Sequence, residues 1–314
     1  MKVLVALAAT GVFGAVIGAA QQPPAKTPAQ AVPSDEPSRI TVYVDRVNML
    51  FTVTDKKGRF VTDLNKDDFE IVESKRRQAV MEFSAESDLP LRLGILIDTS
   101  NSIRERFHFE QEAAIQFIDT VVHRGVDKAL VVSFDTSAEL RSDLVDDPAR
   151  VDDSIRDLRP GGGTALYDAI YYACRDKLAQ DQPKHKFRRA IVVLSDGEDN
   201  QSHYTRDQAL EMAQRAEVVI YAISTNITRT ETAGDKVLKY LTYETGGVSY
   251  FPFKVEDLAQ AFENIANELR HQYNIAYRPE PFVTDGLFHR VDVRVKGRKD
   301  LVVRVRDGYY APKM

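Results

Sequence analysis

The spacing of apolar residues changes along the chain, and each spacing predicts its own kind of element. Apolar side chains recur at every second position in Ile40, Val42 and Val44, and again in Met49, Phe51 and Val53. Asp55-Lys56-Lys57-Gly58 interrupts this run as a turn before Phe60-Val61. Residues 69–71 and 80–83 read as further short strands. The tail has the same grammar. Tyr273, Ile275 and Tyr277 alternate, then His289, Val291, Val293 and Val295, then Leu301, Val303 and Val305. Residues 297–300 join the last two runs and predict a hairpin between them. A period of two broken by Gly and Asp turns predicts antiparallel sheet. Two or three strands are marginal in water. The two ends are therefore expected to share one small sheet or sandwich, with the middle of the chain inserted between them. Two separate small β units are the alternative.

Residues 91–270 change period. Leu93 to Ile97, Ala129 to Phe134, Ala190 to Leu194 and Val218 to Ile223 are near-continuous apolar runs, as expected of strands covered on both faces. Between them, apolar residues recur at helical spacing. Ile103, Phe107, Ala114, Phe117, Ile118, Val121 and Val122 form one such stripe, which stops at Gly125. Residues 165–178, 205–215, 235–241 and 258–269 predict further helices. Residues 138–141 predict a short edge strand, and 248–251 a last strand. The alternation is that of an α/β, doubly wound, mostly parallel sheet with helices on both faces. In the common order 3-2-1-4-5-6, the first and fourth strands meet at the topological switch point. Ligands of such sheets bind beyond the carboxyl ends of the strands there.

The amino terminus belongs to neither regime. Residues 3–20 carry no charge, and Gly18 and Ala20 precede a polar stretch that starts at Gln21. This reads as a secretory signal peptide, with an uncleaved membrane anchor as the alternative. Residues 21–38, rich in Pro, Ala and Gln, read as a solvated linker. The expected organisation is thus signal 1–20, linker 21–38, β segment 39–90, α/β domain 91–270 and β segment 271–314. The expected location is exported: periplasmic, cell-surface or secreted.

Composition narrows the function. With 43% hydrophobic and 28% charged residues, the 314-residue chain has the apolar material for a core. The formal charge of −5 argues against nucleic acid as the main partner. Cys174 is the only cysteine, so neither an internal disulfide nor a cysteine zinc cage is possible. It lies in a helical stripe and reads as a packed side chain. The basic run at residues 184–189 (KHKFRR) reads as solvation before a buried strand, and His203 as a surface histidine.

The switch point carries the chemistry. Asp98-Thr99-Ser100-Asn101-Ser102 follows the first strand, and Ser195-Asp196-Gly197-Glu198-Asp199 follows the fourth. Gly161-Gly162-Gly163-Thr164 leads into a helix between them. The form D-x-S-x-S with these two partners resembles the metal-ion-dependent adhesion site of von Willebrand factor A-type domains, the fold of integrin I domains. The resemblance implies that Ser100, Ser102 and Thr164 touch a divalent cation, and that Asp98 and Asp196 act directly or through water. A Glu or Asp of a protein partner would take the open position. The donors are all oxygen, which suits Mg²⁺, with Mn²⁺ or Ca²⁺ as alternatives. Three glycines would let the Thr164 loop approach closely. Glu198 and Asp199 read as solvated loop charges, with a rim that tunes metal affinity as the alternative. Residues 51–55, 63–70, 273–277 and 307–312 further resemble a bacterial von Willebrand factor A-related family typical of Acidobacteria, which supports the inserted arrangement.

The expected function is an exported, non-enzymatic binding or adhesion module. The rivals are a structural scaffold without metal-dependent binding, and a metal-dependent hydrolase. The hydrolase is disfavoured because Ser100 stands where a D-x-D site needs its second acid, and no G-x-S-x-G elbow occurs. A dinucleotide enzyme lacks its G-x-G-x-x-G.

Overall fold

The computed structural model describes residues 46–85, 89–101, 107–226, 228, 230–254 and 256–313. The expected signal, linker and first strand at residues 40–44 lie outside them, as do Ser102 and Ile103. Among the described residues, no helix is long and apolar enough to cross a membrane.

The chain enters through β1 (Val47–Asp55), turns, and forms β2 (Phe69–Glu73), β3 (Arg76–Gln78) and β4 (Val80–Ser84). It then passes through the α/β part. In order these elements are β5 (Leu91–Asp98), α1 (Phe107–Val121), β6 (Lys128–Phe134), β7 (Ala138–Val145), α2 (Pro148–Arg156) and α3 (Leu166–Tyr172). There follow β8 (Arg188–Ser195), α4 (Arg206–Arg215), β9 (Val218–Ser224), α5 (Ala233–Thr245), β10 (Ser249–Tyr250) and α6 (Glu256–Arg270). It returns to the β part in β11 (Tyr273–Tyr277), β12 (Phe288–Val295), β13 (Leu301–Val305) and β14 (Gly308–Tyr310).

The central sheet has the order β10-β9-β8-β5-β6-β7. This is the expected doubly wound order, with β5 and β8 adjacent and parallel and β7 antiparallel at the edge. β5 is buried along its whole length. Leu93, Ile95 and Ile97 face a layer built from α1, α2 and α6, whereas Leu96 faces α3, α4 and α5. The alternation of a strand thus serves two cores at once. The apolar pattern does not predict helix α2. Its signals are Asp147-Pro148, a helix start with proline in the first turn, and the i, i+4 pair Val151 and Ile155, both buried. Helix α3 continues into a wider turn over Ala173–Leu178, where the Ala179 N–H reaches the Cys174 carbonyl at 2.9 Å. Cys174 is fully buried there, and burial pushes its thiol pKa far up.

The two ends of the described chain share one sandwich, as expected. One sheet runs β13-β1-β11-β4 and the other β14-β12-β2-β3. β1 pairs antiparallel with β11 and with β13, so the first strand described lies between two of the last. Met49, Phe51 and Val53 meet Ile71, Tyr273, Ile275, Val291 and Val293 in a common core. Phe51 stacks on Tyr273 at 5.6 Å and meets the edge of Phe69 at 5.1 Å. The expected β12–β13 hairpin does not form. β12 pairs with β2 and β14, and β13 with β1. Residues 297–300 carry the chain from one sheet to the other, so valines of both strands pack on the common core from opposite sides.

The other face of the β1 sheet rests on the α/β part. Thr52 Oγ1 donates to Glu268 Oε2 of α6 at 3.0 Å, and Arg304 of β13 pairs with the same carboxylate. The two arginines that end the basic run are structural rather than solvating, whereas Lys186 is exposed. Arg189, 1% exposed, donates to the carbonyls of Leu178 and Asp181. Arg188 donates to those of Leu89 and Leu269. Burial of these guanidinium groups is offset by charge-assisted bonds to backbone carbonyls at the ends of neighbouring elements.

Candidate metal centre

Because β5 and β8 run parallel with Ile97 beside Leu194, the segments leaving them start side by side at the carboxyl edge of the sheet. Asp98 is fully buried at the end of β5. Its Oδ1 accepts the Ser100 N–H at 2.8 Å and its Oδ2 accepts Ser195 Oγ at 2.7 Å. Ser195 Oγ in turn accepts the Gly197 N–H at 3.1 Å. One carboxylate is thereby held from both segments. Burial pushes the Asp98 pKa up to about 6; the bonds from Ser100 and Ser195 oppose this, and the nearby Asp196 charge adds to it.

The glycine loop completes the enclosure. The Gly161 N–H donates to Thr99 O at 2.6 Å, and Asn101 Nδ2 donates to Gly162 O at 3.3 Å. On the other side, the Thr164 N–H donates to Asn200 Oδ1 at 3.1 Å, and Thr164 O accepts the Asn200 N–H at 3.0 Å. The three loops are thus tied in pairs, and Thr164 is buried between two of them. Close approach needs glycine at two of the three positions. Gly162 has φ +82, and a Cβ on Gly163 would lie 2.7 Å from Gln201 Cγ, whereas Gly161 has open space around it.

Asp196 is half-buried, and its Oδ1 accepts the Glu198 N–H at 3.0 Å. The loop beneath it lies on the first turn of α5. A Cβ on Gly234 would come 2.1 Å from Asp196 O, so only two bare backbones fit this contact. Asp98, Ser100, Thr164 and Asp196 therefore sit on three interlocked loops at the switch point, and Ser102 lies outside the described residues. Among the described residues, no three His, Cys, Asp or Glu side chains form a metal cage.

Residues that the sequence did not single out support this arrangement. Ser195 stands one register step beyond the Ile97–Leu194 pair, so aligning the two strands would have placed its hydroxyl beside Asp98. Asn200 could not have been found without the loop closure. Asp199 is not a solvated charge: its Oδ2 accepts the Tyr167 N–H at 3.1 Å and Ser202 Oγ at 2.7 Å, at the start of α3. Glu198 is exposed. His203 is a surface residue, with Nδ1 2.9 Å from Asp168 Oδ2.

Residues 93–198, which span β5 to the Asp196 loop, match the family described as von Willebrand factor type A domain. The chain carries a von Willebrand factor type A domain. A curated relative, von Willebrand factor A domain-containing protein 3B of Homo sapiens, is 30% identical over 162 residues. That match covers 50% of this chain and 11% of the relative, so the chain spans a small fraction of that protein. Among solved structures, a von Willebrand factor type A protein from Catenulispora acidiphila has a TM-score of 0.51 at 14% identity. The match covers 86% of this chain and 74% of that one. Proximal thread matrix protein 1 from the mussel byssus, described with a zinc-occupied MIDAS motif, has a TM-score of 0.52 at 18% identity. That match covers 63% of this chain and 50% of the other. At these identities the structural likeness establishes the von Willebrand factor A fold and nothing more specific.

Proposed function

We propose that this von Willebrand factor A domain is an exported protein-interaction module that binds a divalent cation and, through it, an acidic residue of a partner. Asp98, Ser100, Ser102, Thr164 and Asp196 would hold the ion. A bound cation supplies an electrophilic site that a carboxylate can join as a further ligand. The observation that carries this reading is the buried Asp98 carboxylate, fixed by two loops and raised toward neutrality by burial. A buried anion with no cationic side chain bonded to it is costly, and a divalent ion at the switch point offsets that cost. Thr164 and Asp196 bring further oxygen donors on the adjoining loops.

An oxygen donor set favours Mg²⁺ or Mn²⁺. The zinc-occupied motif of the mussel protein makes Zn²⁺ the third ion to compare. Export rests on the apolar residues 3–20. A nucleophilic role for Asp98 has less support, because Ser100 stands where a D-x-D site needs its second acid.

The deciding experiment is a calorimetric titration of the chain with Mg²⁺, Mn²⁺ and Zn²⁺, beside Asp98→Ala. Saturable binding lost in the variant is the expected result. The partner step is then read by cation-dependent capture of peptides carrying Asp or Glu, with their amides as controls. A wild type that binds no ion, alone or with acidic peptide, would leave the domain a scaffold.

A further inference from the structure

A second polar feature lies away from the metal loops, where the β1 sheet of the sandwich meets the α/β part. A small cavity of 20 Å³ is lined there by Asn48 of β1, Asn274 of β11 and Arg306, which follows β13. Phe187, His185 and Glu217 wall it on the α/β side. Arg306 is only 7% exposed. Its Nη2 donates to the Asn48 carbonyl at 2.7 Å. Its Nε and Nη1 have no hydrogen-bond partner among the described residues, and neither do Asn48 Oδ1 and Asn274 Oδ1. Buried polar atoms in native proteins are almost always paired, with protein or with ordered water.

The unpaired atoms specify their partner. The two amide oxygens need donors, and the guanidinium needs an acceptor. A halide would satisfy the arginine and repel the oxygens. A metal cation would satisfy the oxygens and be repelled by the arginine. A water molecule donates twice and accepts at the same time. A cavity needs about 10–15 Å³ on this measure to hold one water, and two to four polar partners to keep it. We infer that this cavity is a binding site for one ordered water, which donates to Asn48 Oδ1 and Asn274 Oδ1 and accepts from the Arg306 guanidinium. The water joins β1, β11 and the segment after β13 into one polar joint pressed against the α/β sheet. Arg306 is then a positioning residue, holding through water what its side chain does not touch.

The test is a crystal structure of the full chain grown in bromide. The expected result is a single oxygen peak within hydrogen-bond distance of the three side chains, without anomalous signal. An anomalous bromide peak overturns the inference, because it means that both amides are turned over around an anion. In solution, ¹⁷O magnetic relaxation dispersion counts long-lived internal waters. Asn48→Leu fills the cavity and removes one acceptor, and is expected to lower the amplitude by one water. An unchanged amplitude in a variant whose circular dichroism matches the wild type also overturns it. Neither readout depends on cation binding.

Discussion

In the proposed site, Asp98 would couple folding to cation binding, two equilibria that can be measured separately. Its folded-state pKa is raised to about 6 from an ordinary 3.8. Raising a carboxylate pKa on folding makes the metal-free fold lose stability as pH climbs from about 4 to about 6, after which the loss is constant. A rise of that size corresponds to about 2–3 kcal/mol. Asp98→Asn is therefore expected to abolish cation binding and yet raise the melting temperature of the metal-free chain at pH 7, with no gain at pH 3. Thermal melts at the two pH values check this, and a variant less stable at both would contradict it. At the proposed site the same pKa would make protons compete with the ion. Affinity for Mg²⁺ or Mn²⁺ is expected to be flat above about pH 7 and to fall roughly tenfold per unit well below pH 6, as titration calorimetry across that range will read.

Elements position these residues, and two contacts between elements are sharp enough to test. At Gly234 an added methyl would favour helix α5 by about 1 kcal/mol. It would also stand 2.1 Å from Asp196 O, against backbone that has no rotamer by which to move away. Overlap wins, and Gly234→Ala is expected to lose about 3 kcal/mol or more and to weaken cation binding by displacing the Asp196 loop. Glu268 on α6 is 4% exposed and is shared by Thr52 and Arg304 of the sandwich. Glu268→Ala strands a charge, at a cost of about 3 kcal/mol given that Arg304 is partly exposed. Chemical denaturation of each variant checks both figures. Elements were also the scale at which the sequence spoke most clearly. Strands β5, β6, β8 and β9 announce themselves because burial on both faces demands unbroken apolar runs. α2 shows only Val151 and Ile155 on a polar helix, too thin a stripe to stand out. The candidate metal motif was legible because its parts follow strand ends. Ser195 and Asn200 were not, since their roles depend on which loops meet in space. A period of two likewise tells that β12 and β13 are strands and leaves open which strands they join.

At the scale of the described chain, connectivity closes on itself, because β1 pairs with β11 and β13. The sandwich is assembled from both ends of the described chain, whereas the α/β sheet uses one unbroken stretch. Ending the chain after Asp300 would remove β13 and β14, and with them the partner of β1 residues 51–55. Such a chain is expected to expose the valine and aromatic core, bind a hydrophobic dye and aggregate, while proteolysis leaves a resistant fragment covering β5 to α6. A fragment that is degraded as readily as the rest would contradict that expectation. This connectivity also sets an order in time. During synthesis the strands of the α/β sheet emerge one after another and each finds neighbours already made. β1 is among the earliest described strands to appear, but β11 and β13, its partners on either side, are among the last. For most of the time the ribosome spends on this protein, a strand bearing Met49, Phe51 and Val53 is out and alone. Whatever receives the chain as it is made, be it a chaperone or an export channel, must shelter that strand until the last strands arrive.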